Sequence, residues 1–483
     1  MKKALIALAI FSFQLSTYNS AKAGGLVTNS NQNVAFLRQM SQDAIIDITG
    51  LYFNPAGTAF LSDGWHMSAS IQSAKQSRDI VTDFPLFQMN QEKPYTPHKF
   101  DGDALAPVIP SLHVSYNHDR WSVNANFSLG GGGGKCEFDQ GLGSFEAAYA
   151  GALLQNVPGQ LPALLVPGLI NAGVPSPYAE QIAATGQYTG YKLNSYMKGR
   201  QYYFGLSLGA TYKFMDNLAG FVGLRGVYAT CNYNGFVKPS VAYNIPAMAP
   251  VFPGASGTAD LANYGIDLNC DQTGFGVTPI LGIDYRINKH WNIAARYEAE
   301  TKLRLKNKTE ANVPAMVAAQ AGATLAQFAD GEKVAANIPG ILSAGVMYSP
   351  IDQVRLMAGW HYYFDKAAKQ FNNKQDLLDK NTQEFSAGVE WDINKWVTLS
   401  GSWQNTRYGL GDQYMSDLTF NNSNNMIGVG VRVHPTKRFS IDAGYMHTFY
   451  RDRTVTTATA AGTKTDTYSR TNRVFGLGVN VDF

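Results

Sequence analysis

Ionisable residues, arginines among them, recur in the second half of the sequence at positions that alternate with apolar residues. An arginine among them could bind a carboxylate, because the planar guanidinium donates two parallel hydrogen bonds to the two oxygens. Arg296 and Arg355 are the candidates for this role. The alternative is a wall of mutually paired charges, which is the more common arrangement for ionisable groups removed from water. The full set comprises Arg296, Glu298, Glu300, Arg355, His361, Glu390, Arg432 and Asp442.

The other reactive residue types predict neither an enzyme nor a metal site. The 8 histidines form no recognised pattern with a nucleophile, although a catalytic triad assembled in space remains the alternative. The 3 cysteines, Cys136, Cys231 and Cys270, are too few and too widely spaced for a structural zinc site. One pair could form a disulfide, and we favour Cys231 with Cys270 at facing ends of neighbouring strands. We expect no cofactor and no metal ion.

The composition limits the classes of protein to consider. Only 16% of the 483 residues are charged, against roughly 25% in an average soluble domain. Abundant apolar and aromatic residues, the latter 12% of the chain, exclude disorder. A mean hydropathy of −0.17, together with proline and glycine breaks in the apolar runs, excludes a helical membrane protein. Length alone would allow several soluble domains, and one large barrel is the alternative.

Residues 1–23 have the three parts of a secretory signal peptide. Two lysines precede an apolar run at 4–13, and Ala21 and Ala23 supply the small side chains of a cleavage site. We therefore predict export and a mature chain that begins at Gly24. Without the 3 lysines of this leader, 36 basic residues balance 36 acidic residues. This balance gives no basic face for nucleic acid.

Apolar and polar residues alternate in fourteen separate runs, which is the period of a strand with two different faces. Six connections between the runs are very short and seven are long, including 131–198, 233–271 and 306–337. An even strand number with this asymmetry is typical of bacterial outer-membrane barrels. The runs lie near 64–80, 107–117, 120–130, 199–214, 217–232, 272–286, 290–305, 338–349, 352–366, 382–392, 395–408, 424–433, 437–450 and 471–483.

Aromatic residues cluster beside the short connections, as expected where rings lie at a lipid headgroup boundary. Examples are Tyr116, Trp121, Tyr212, Phe214, Tyr285, Trp291, Trp391 and Trp396. We therefore predict an all-β fold, a 14-stranded antiparallel transmembrane β-barrel over residues 64–483, in the outer membrane. A soluble all-β protein is the alternative. The terminal Phe483 is similar to the signal that the outer-membrane assembly machinery recognises.

Residues 24–63 precede the first strand and do not alternate. A barrel wider than eight strands leaves a lumen, and the apolar residues of this segment argue against a solvated tail. The segment is therefore predicted to be a hatch, a plug inside the lumen. Its Asn54-Pro55-Ala56 motif, the fourteen strands and the terminal Phe resemble the FadL family of outer-membrane long-chain fatty-acid and hydrocarbon transporters (OmpP-type barrels).

The resemblance implies partners and site residues. The partners would be hydrophobic small molecules and outer-membrane lipid, bound by a monomer. The hatch would block the lumen, and Gly24, Leu26, Val27 and Phe53 would lie near the bound lipid. A kink in the third strand forms a lateral opening in that family. Near the equivalent place stand Gly131, Gly132 and Gly133, within five consecutive glycines, and a flexible loop start is the alternative.

Three long connections contain charge-free apolar stretches, 147–179, 239–259 and 311–329. Large exposed apolar patches mark binding sites, so an apolar collar would capture a hydrophobic substrate, unless the loops only pack on one another. Prolines in the first stretch predict short helices there. We expect passive uptake by loop capture, lumen binding beside the hatch and release through a gated opening. A general porin and a lipid-acting enzyme are the rival functions.

Overall fold

The alternating strands form one antiparallel sheet in the computed structural model, which describes residues 28, 32–248, 255–261, 264–314 and 325–483. The predicted leader and the predicted site residues Gly24, Leu26 and Val27 lie outside the described residues. Within them, the strands are β1 (Gly64–Asp83), β2 (His98–His118), β3 (Trp121–Phe138), β4 (Gln187–Met215), β5 (Leu218–Asn244), β6 (Ser256–Asp260), β7 (Ile266–Arg286), β8 (Trp291–Glu298), β9 (Arg304–Asn312), β10 (Lys333–Ala335), β11 (Ile341–Ile351), β12 (Val354–Tyr363), β13 (Thr382–Asn394), β14 (Val397–Arg407), β15 (Asn424–Thr436), β16 (Phe439–Tyr450), β17 (Arg453–Thr459) and β18 (Gly462–Asp482).

The sheet closes on itself, because β1 pairs with β2 on one side and with β18 on the other. Ala69 of β1, for example, lies opposite Leu112 of β2 and Val479 of β18. Fourteen strands make up the wall, since β9 continues the path of β8 and pairs with β7. The short strands β6, β10 and β17 are additions at the end with the long connections, here called the upper end. The predicted 14-stranded antiparallel barrel is confirmed.

The wall is apolar outside and polar inside, which is the reverse of a soluble protein. On β1, Ile71 points outward and is 56% exposed, whereas its neighbours Ser70 and Gln72 are 5% and 2% exposed and point inward. On β7, Leu281 is exposed on the outside and Thr278 is buried inside. An outer surface of this kind is suited to face lipid.

Aromatic side chains form a level at each edge of the outer apolar band. Near the short turns lie Trp65, Trp121, Phe214, Tyr285, Trp291, Trp391 and Trp396, and toward the upper end lie Tyr228, Phe275, Tyr297, Trp403, Tyr445 and Phe449. Ten residues separate Phe275 from Tyr285 on β7. They span about 33 Å of strand, or about 25 Å of height at a tilt of about 40°, which matches a hydrocarbon band.

The strands run further at the upper end than the alternation predicts. β4 begins at Gln187 rather than near 199, and β5 ends at Asn244 rather than near 232. Beyond the apolar band the outer face of these strands is polar, so the two-residue period fades although the hydrogen-bonded ladder continues. Much of the predicted connections 131–198 and 233–271 is therefore strand.

Helices account for the rest of the first long connection. α1 (Val34–Arg38) precedes the barrel, whereas α2 (Gly143–Asn171) and α3 (Ser176–Ala183) cover its upper end. The expectation of short helices is wrong for α2, which continues through Pro158, Pro162 and Pro167. Pro158 and Pro167 are exposed, so water can satisfy the carbonyls that lose their N–H partners. Within the described residues, no helix has both the length and the apolar character needed to cross a membrane.

Short 3₁₀ turns complete the described secondary structure. They are Ile48–Gly50, Pro55–Phe60, Pro85–Met89, Pro246–Met248, Ala326–Phe328, Asp365–Ala367 and Phe371–Leu377.

Residues 32–63, called the lumen segment below, lie inside the barrel and are mostly buried. Its helix α1 contacts β15, β16 and β18. Inward-facing glycines make room for this helix. A Cβ atom on Gly428 would lie 2.3 Å from the carbonyl oxygen of Leu37, and one on Gly444 would lie 2.8 Å from the Leu37 Cβ. Glycine therefore permits a close approach of α1 to the wall.

Candidate lumen binding site

The lower part of the lumen holds buried ion pairs between the lumen segment and the wall. Arg38 of α1 pairs with Glu390 and, through Nε at 2.9 Å, with Asp442. Arg432 pairs with Asp442 at 2.8 Å and with Asp47 of the lumen segment at 2.6 Å. Removing one member of such a pair leaves an uncompensated charge away from water. These contacts therefore hold the segment against β13, β15 and β16.

The two arginines selected from the sequence belong to the same kind of arrangement. Arg355 pairs with Glu390 at 3.0 Å and with Asp392 at 2.7 Å. Arg296 lies 3.0 Å from a carboxylate oxygen of Glu298 and donates to the carbonyl oxygen of Tyr52. Both arginines thus have carboxylate partners from the protein itself, as in the alternative considered from the sequence.

The Asn54-Pro55-Ala56 motif forms a turn that is bonded to the wall. The Asn54 amide donates to the carboxylate of Asp284 on β7. The carbonyl oxygen of Pro55 accepts a hydrogen bond from Thr211 Oγ1 at 3.1 Å. Ala56 is buried in a small apolar cluster with residues of β5 and β7. The motif therefore attaches the lumen segment on the side opposite the Arg432 network.

Phe53 lies within the packing between the lumen segment and β12. Its ring stacks on His361, with centroids 6.3 Å apart. His361 in turn contacts Asp43 of the lumen segment at 2.8 Å and Glu384 of β13 at 3.1 Å. Phe53 is buried and does not line the cavity described next.

A cavity of about 180 Å³ lies above the lumen segment. Its apolar lining includes Ala106, Ile109, Leu129, Met197, Tyr202 and Val474. Sites for drug-sized ligands have volumes of about 300–1,000 Å³, so this cavity could enclose one end of a long molecule but not the whole of it. Two arginines, Arg78 and Arg470, also line the cavity.

Arg78 and Arg470 lie directly opposite one another on β1 and β18. Arg78 donates to the carbonyl oxygen of Phe420 at 3.0 Å, and its guanidinium lies 4.4 Å from that ring. Arg470 donates to Gln76 at 2.7 Å and to Asn421. The Nε atoms of both arginines are buried without a hydrogen-bond partner in the described part of the chain.

Neither arginine has an ion-pair partner in the part of the chain that the structure describes. Among the described residues no carboxylate oxygen lies within 4.0 Å of either guanidinium, and the rest of the chain contains no Asp or Glu. Asp417 also lines the cavity, but it accepts hydrogen bonds from the Ser144 backbone at 2.8 Å and the Tyr468 hydroxyl at 3.2 Å. Like charges directly opposite in a sheet are destabilising. A bound anion would relieve this repulsion.

The wall beside the cavity has a gap between β2 and β3. The two strands pair at Leu105 with Lys135 and again at Leu112 with Phe127, without register partners in between. β2 contributes Pro107 and Pro110 to this stretch, and β3 contributes the predicted glycines Gly131, Gly132 and Gly133. Proline has no N–H to donate and glycine weakens strand pairing, so these residues allow the ladder to open.

Gly132 shows why glycine is needed on the β3 side of the gap. Its φ angle is +92°, and a Cβ atom there would lie 2.4 Å from the carbonyl oxygen of Gln201. The pairing of β3 with β4 also shifts register on both sides of Gly131. Gly132, Leu129 and Ile109 all line the cavity, so the gap lies next to it.

The predicted disulfide between Cys231 and Cys270 is not formed in the part of the chain that the structure describes. Cys231 and Cys270 do lie on the neighbouring strands β5 and β7, but the residue opposite Cys231 is Gln272 and the residue opposite Cys270 is Tyr233. The two cysteines are therefore diagonal neighbours, which are typically about 7–8 Å apart and too distant for a disulfide.

One segment of the chain matches the spacing of a hydrolase motif. Residues 205–209, Gly-Leu-Ser-Leu-Gly, have the spacing Gly-x-Ser-x-Gly of a nucleophile elbow. They lie in the interior of β4 rather than at a strand-to-helix turn. The hydroxyl of Ser207 accepts a hydrogen bond from Arg225 Nε at 2.9 Å. The geometry of a nucleophile elbow is therefore not present at this match.

The loop helices cover the cavity from above. Glu146 at the start of α2 is buried and accepts hydrogen bonds from Asn90 at 2.7 Å and Tyr191 at 3.0 Å, and it contacts His98 at 2.9 Å. Burial raises the pKa of the Tyr149 hydroxyl on the same helix. Most apolar side chains of α2 pack inward.

A few apolar side chains of the cover remain on the surface. Leu154, Ile170 and Tyr178 are 37%, 44% and 62% exposed. The other two predicted apolar stretches, 239–259 and 311–329, are only partly within the described residues.

Several solved protein structures have a similar fold. No family model and no curated protein matches the chain. Among solved structures, a FadL homologue of Pseudomonas aeruginosa superposes with a TM-score of 0.62 at 14% identity, covering 95% of this chain and all of that one. The toluene transporter TbuX of Ralstonia pickettii gives 0.53 at 13% identity, covering 93% and 97% of the two chains. The toluene transporter TodX of P. putida gives 0.52 at 12% identity, covering 89% and 92%. The chain therefore has the fold of these FadL-like channels.

Proposed function

We propose that the chain is a passive outer-membrane channel for hydrophobic small molecules that carry a carboxylate, such as long-chain fatty acids. The pair Arg78 and Arg470 carries this proposal, because both guanidiniums line the cavity and no carboxylate oxygen of the described residues lies within 4.0 Å of either one. The solved relatives include a FadL homologue and toluene transporters. Toluene has no charge for an arginine to bind, so the arginine pair favours an acid over a neutral hydrocarbon.

Capture would begin at the apolar side chains that α2 and α3 leave on the surface. Leu154, Ile170 and Tyr178 could hold an acyl chain weakly, as exposed apolar groups do at binding sites. The carboxylate would then exchange water for the two guanidiniums in the cavity. Movement would be downhill and would need no nucleotide.

Release through the gap between β2 and β3 is energetically easier than release past the lumen segment. Breaking one buried ion pair costs about 3–5 kcal/mol, and Arg38, Arg432 and His361 each hold the segment to the wall. The gap has no ladder hydrogen bonds to break between Leu105 and Leu112. We therefore propose lateral release into the membrane, with the lumen segment acting as a fixed hatch.

Filling the gap tests the proposed function. Ile109→Trp places a large ring at the gap, and we expect it to abolish uptake of radiolabelled fatty acid by cells that express the chain. Val123→Trp is the matched control, because Val123 is 63% exposed on the outer face of a paired part of β3. Normal uptake by the Ile109→Trp protein, at equal amounts in the membrane, would rule out this route.

The rival function of a general porin makes a different electrical prediction. A lumen filled by residues 32–63 should show little conductance in a planar bilayer, whereas an open porin conducts steadily. A large steady conductance of the unmodified chain would contradict the proposed channel.

A further inference from the structure

Four basic residues follow one another on the outer face of the barrel at the upper end. Lys302, Arg304, Lys306 and Lys308 occupy alternate positions along β9 and the residues before it, and all four are exposed. Lys333 of β10 is also exposed and lies directly opposite Lys306. These five residues are called the basic face.

The basic face lies at the upper edge of the lipid-facing band. Lys306 is paired with Thr273 on β7, and the next outward residue of β7 below Thr273 is Phe275, which is 64% exposed. Tyr297 of β8 belongs to the same aromatic level. Aromatic rings mark the headgroup level, so the cations lie where the headgroups of the upper leaflet would be.

Several outward cations at the upper end have a carboxylate partner, which the basic face lacks among the described residues. Lys99 pairs with Asp79 at 3.2 Å, Lys238 pairs with Asp267 at 3.7 Å, and Lys135 pairs with Glu137. Lys75 of β1 and Arg473 of β18 lie opposite one another and also lack an ion pair among the described residues. Arg200 of β4 and Arg407 of β14 are also exposed without an ion pair among the described residues, but they lie apart, whereas the basic face brings five such cations together.

No described carboxylate forms an ion pair with the basic face, although the exposed Glu310 follows Lys308 at the next alternate position of β9. None of its five side chains is within 4.0 Å of a carboxylate oxygen among the described residues, and the remaining residues contain no Asp or Glu. Asp271 lies opposite Lys308, but it accepts a hydrogen bond from Asn232 at 2.9 Å. Lys306 and Lys333 repel each other across the strands. Such a face is stabilised by an external polyanion.

We propose that the basic face binds the phosphate groups of an anionic lipid in the outer leaflet. The face points away from the lumen, so its occupant is a membrane lipid rather than a transported molecule. Basic residues at a membrane surface attract anionic headgroups, and the aromatic level beneath them would pack on the acyl chains. The inference does not depend on what passes through the channel.

The test is retention of lipid A by the purified full chain in detergent, measured by native mass spectrometry. We expect the variant K302Q/R304Q/K306Q/K308Q to retain lipid A at least about tenfold more weakly than the unmodified chain. The matched control K99Q/K135Q/K198Q/K238Q also removes four charges, and we expect it to retain lipid A normally. Dephosphorylated lipid A should bind weakly to all three proteins.

Several results would overturn the lipid site. They are equal retention by the first variant and the unmodified chain, equal loss in the control variant, or displacement of lipid A by excess inorganic phosphate. Heat-dependent mobility in electrophoresis establishes that each barrel is folded. If the first variant fails to fold, the double variant K306Q/K333Q supplies the same comparison with a smaller expected loss.

Discussion

Arginines occupy two regions of the lumen under opposite electrostatic conditions. In the lower region, Arg38, Arg225, Arg296, Arg355 and Arg432 each have a carboxylate partner. In the upper cavity, Arg78 and Arg470 face each other, and neither forms an ion pair with a described carboxylate. The same residue type therefore attaches the lumen segment in one region and is available to a ligand in the other.

The difference shows how to separate structural from binding charges in a barrel interior. Both sets point into the lumen, so position alone does not distinguish them. The distinction depends on whether the protein supplies the counter-charge. Substitutions in the lower region should reduce stability, whereas substitutions in the upper cavity should change ligand binding.

Arg432→Met should have the largest effect, because it leaves Asp47 and Asp442 without their shared partner. We expect a loss of about 3–5 kcal/mol in the free energy of unfolding, measured in urea with the protein in detergent micelles. Arg438→Gln is the control, since Arg438 is exposed beside a short turn. An unchanged unfolding midpoint for Arg432→Met would show that the lower network does not hold the structure together.

Asp365 extends the comparison, because it is a buried carboxylate in the connection that follows β12, and no cation of the described residues forms an ion pair with it. Burial raises its pKa from 3.8 to about 7. Since the folded-state pKa is the higher one, the stabilisation is complete below about pH 3.8 and is lost as the pH rises through 7. Between pH 8 and pH 5 the connection should gain about 2–3 kcal/mol in protection against hydrogen exchange.

Asp365→Asn should remove this pH dependence. Asp379→Asn, at an exposed position in the same connection, should retain it. Protection that does not change with pH in the unmodified chain would contradict the assignment of a neutral carboxyl group at Asp365.

The double variant R78Q/R470Q should have the smallest effect on stability, and in the opposite direction. Removing the cross-strand repulsion in ligand-free protein should leave stability unchanged or raise it by about 0.2–1 kcal/mol. Arg225→Gln, which breaks a buried pair with Glu298, should lower stability in the same assay. A marked loss in the double variant would mean that the two arginines have a structural role.

The alternating pattern was enough to predict the barrel, because lipid outside and a polar lumen inside impose a strict two-residue period. The first strand was predicted at 64–80 and begins at Gly64. The extensions of β4 and β5 at the upper end were not predictable from this pattern, because both faces of the strands contact water or loops there.

The pairing of Arg78 with Arg470 could not be predicted from the local sequence. Arg78 lay in a predicted strand at an inward position, but Arg470 fell one residue outside the last predicted strand at 471–483. The two arginines lie opposite one another only when β18 pairs with β1 and closes the barrel. Nearly four hundred residues separate them in the sequence. Pro107 and Pro110 opposite the glycine run were a readable signal for the gap.

The most direct test of the account is equilibrium binding of a long-chain fatty acid and of the alcohol with the same chain length. The unmodified chain should bind the acid about 10–100-fold more tightly, because hydrogen bonds to charged groups contribute about 1.5–3 kcal/mol. R78Q/R470Q should bind both ligands alike. An unchanged preference for the acid in that variant would contradict the assignment of Arg78 and Arg470 as the carboxylate site.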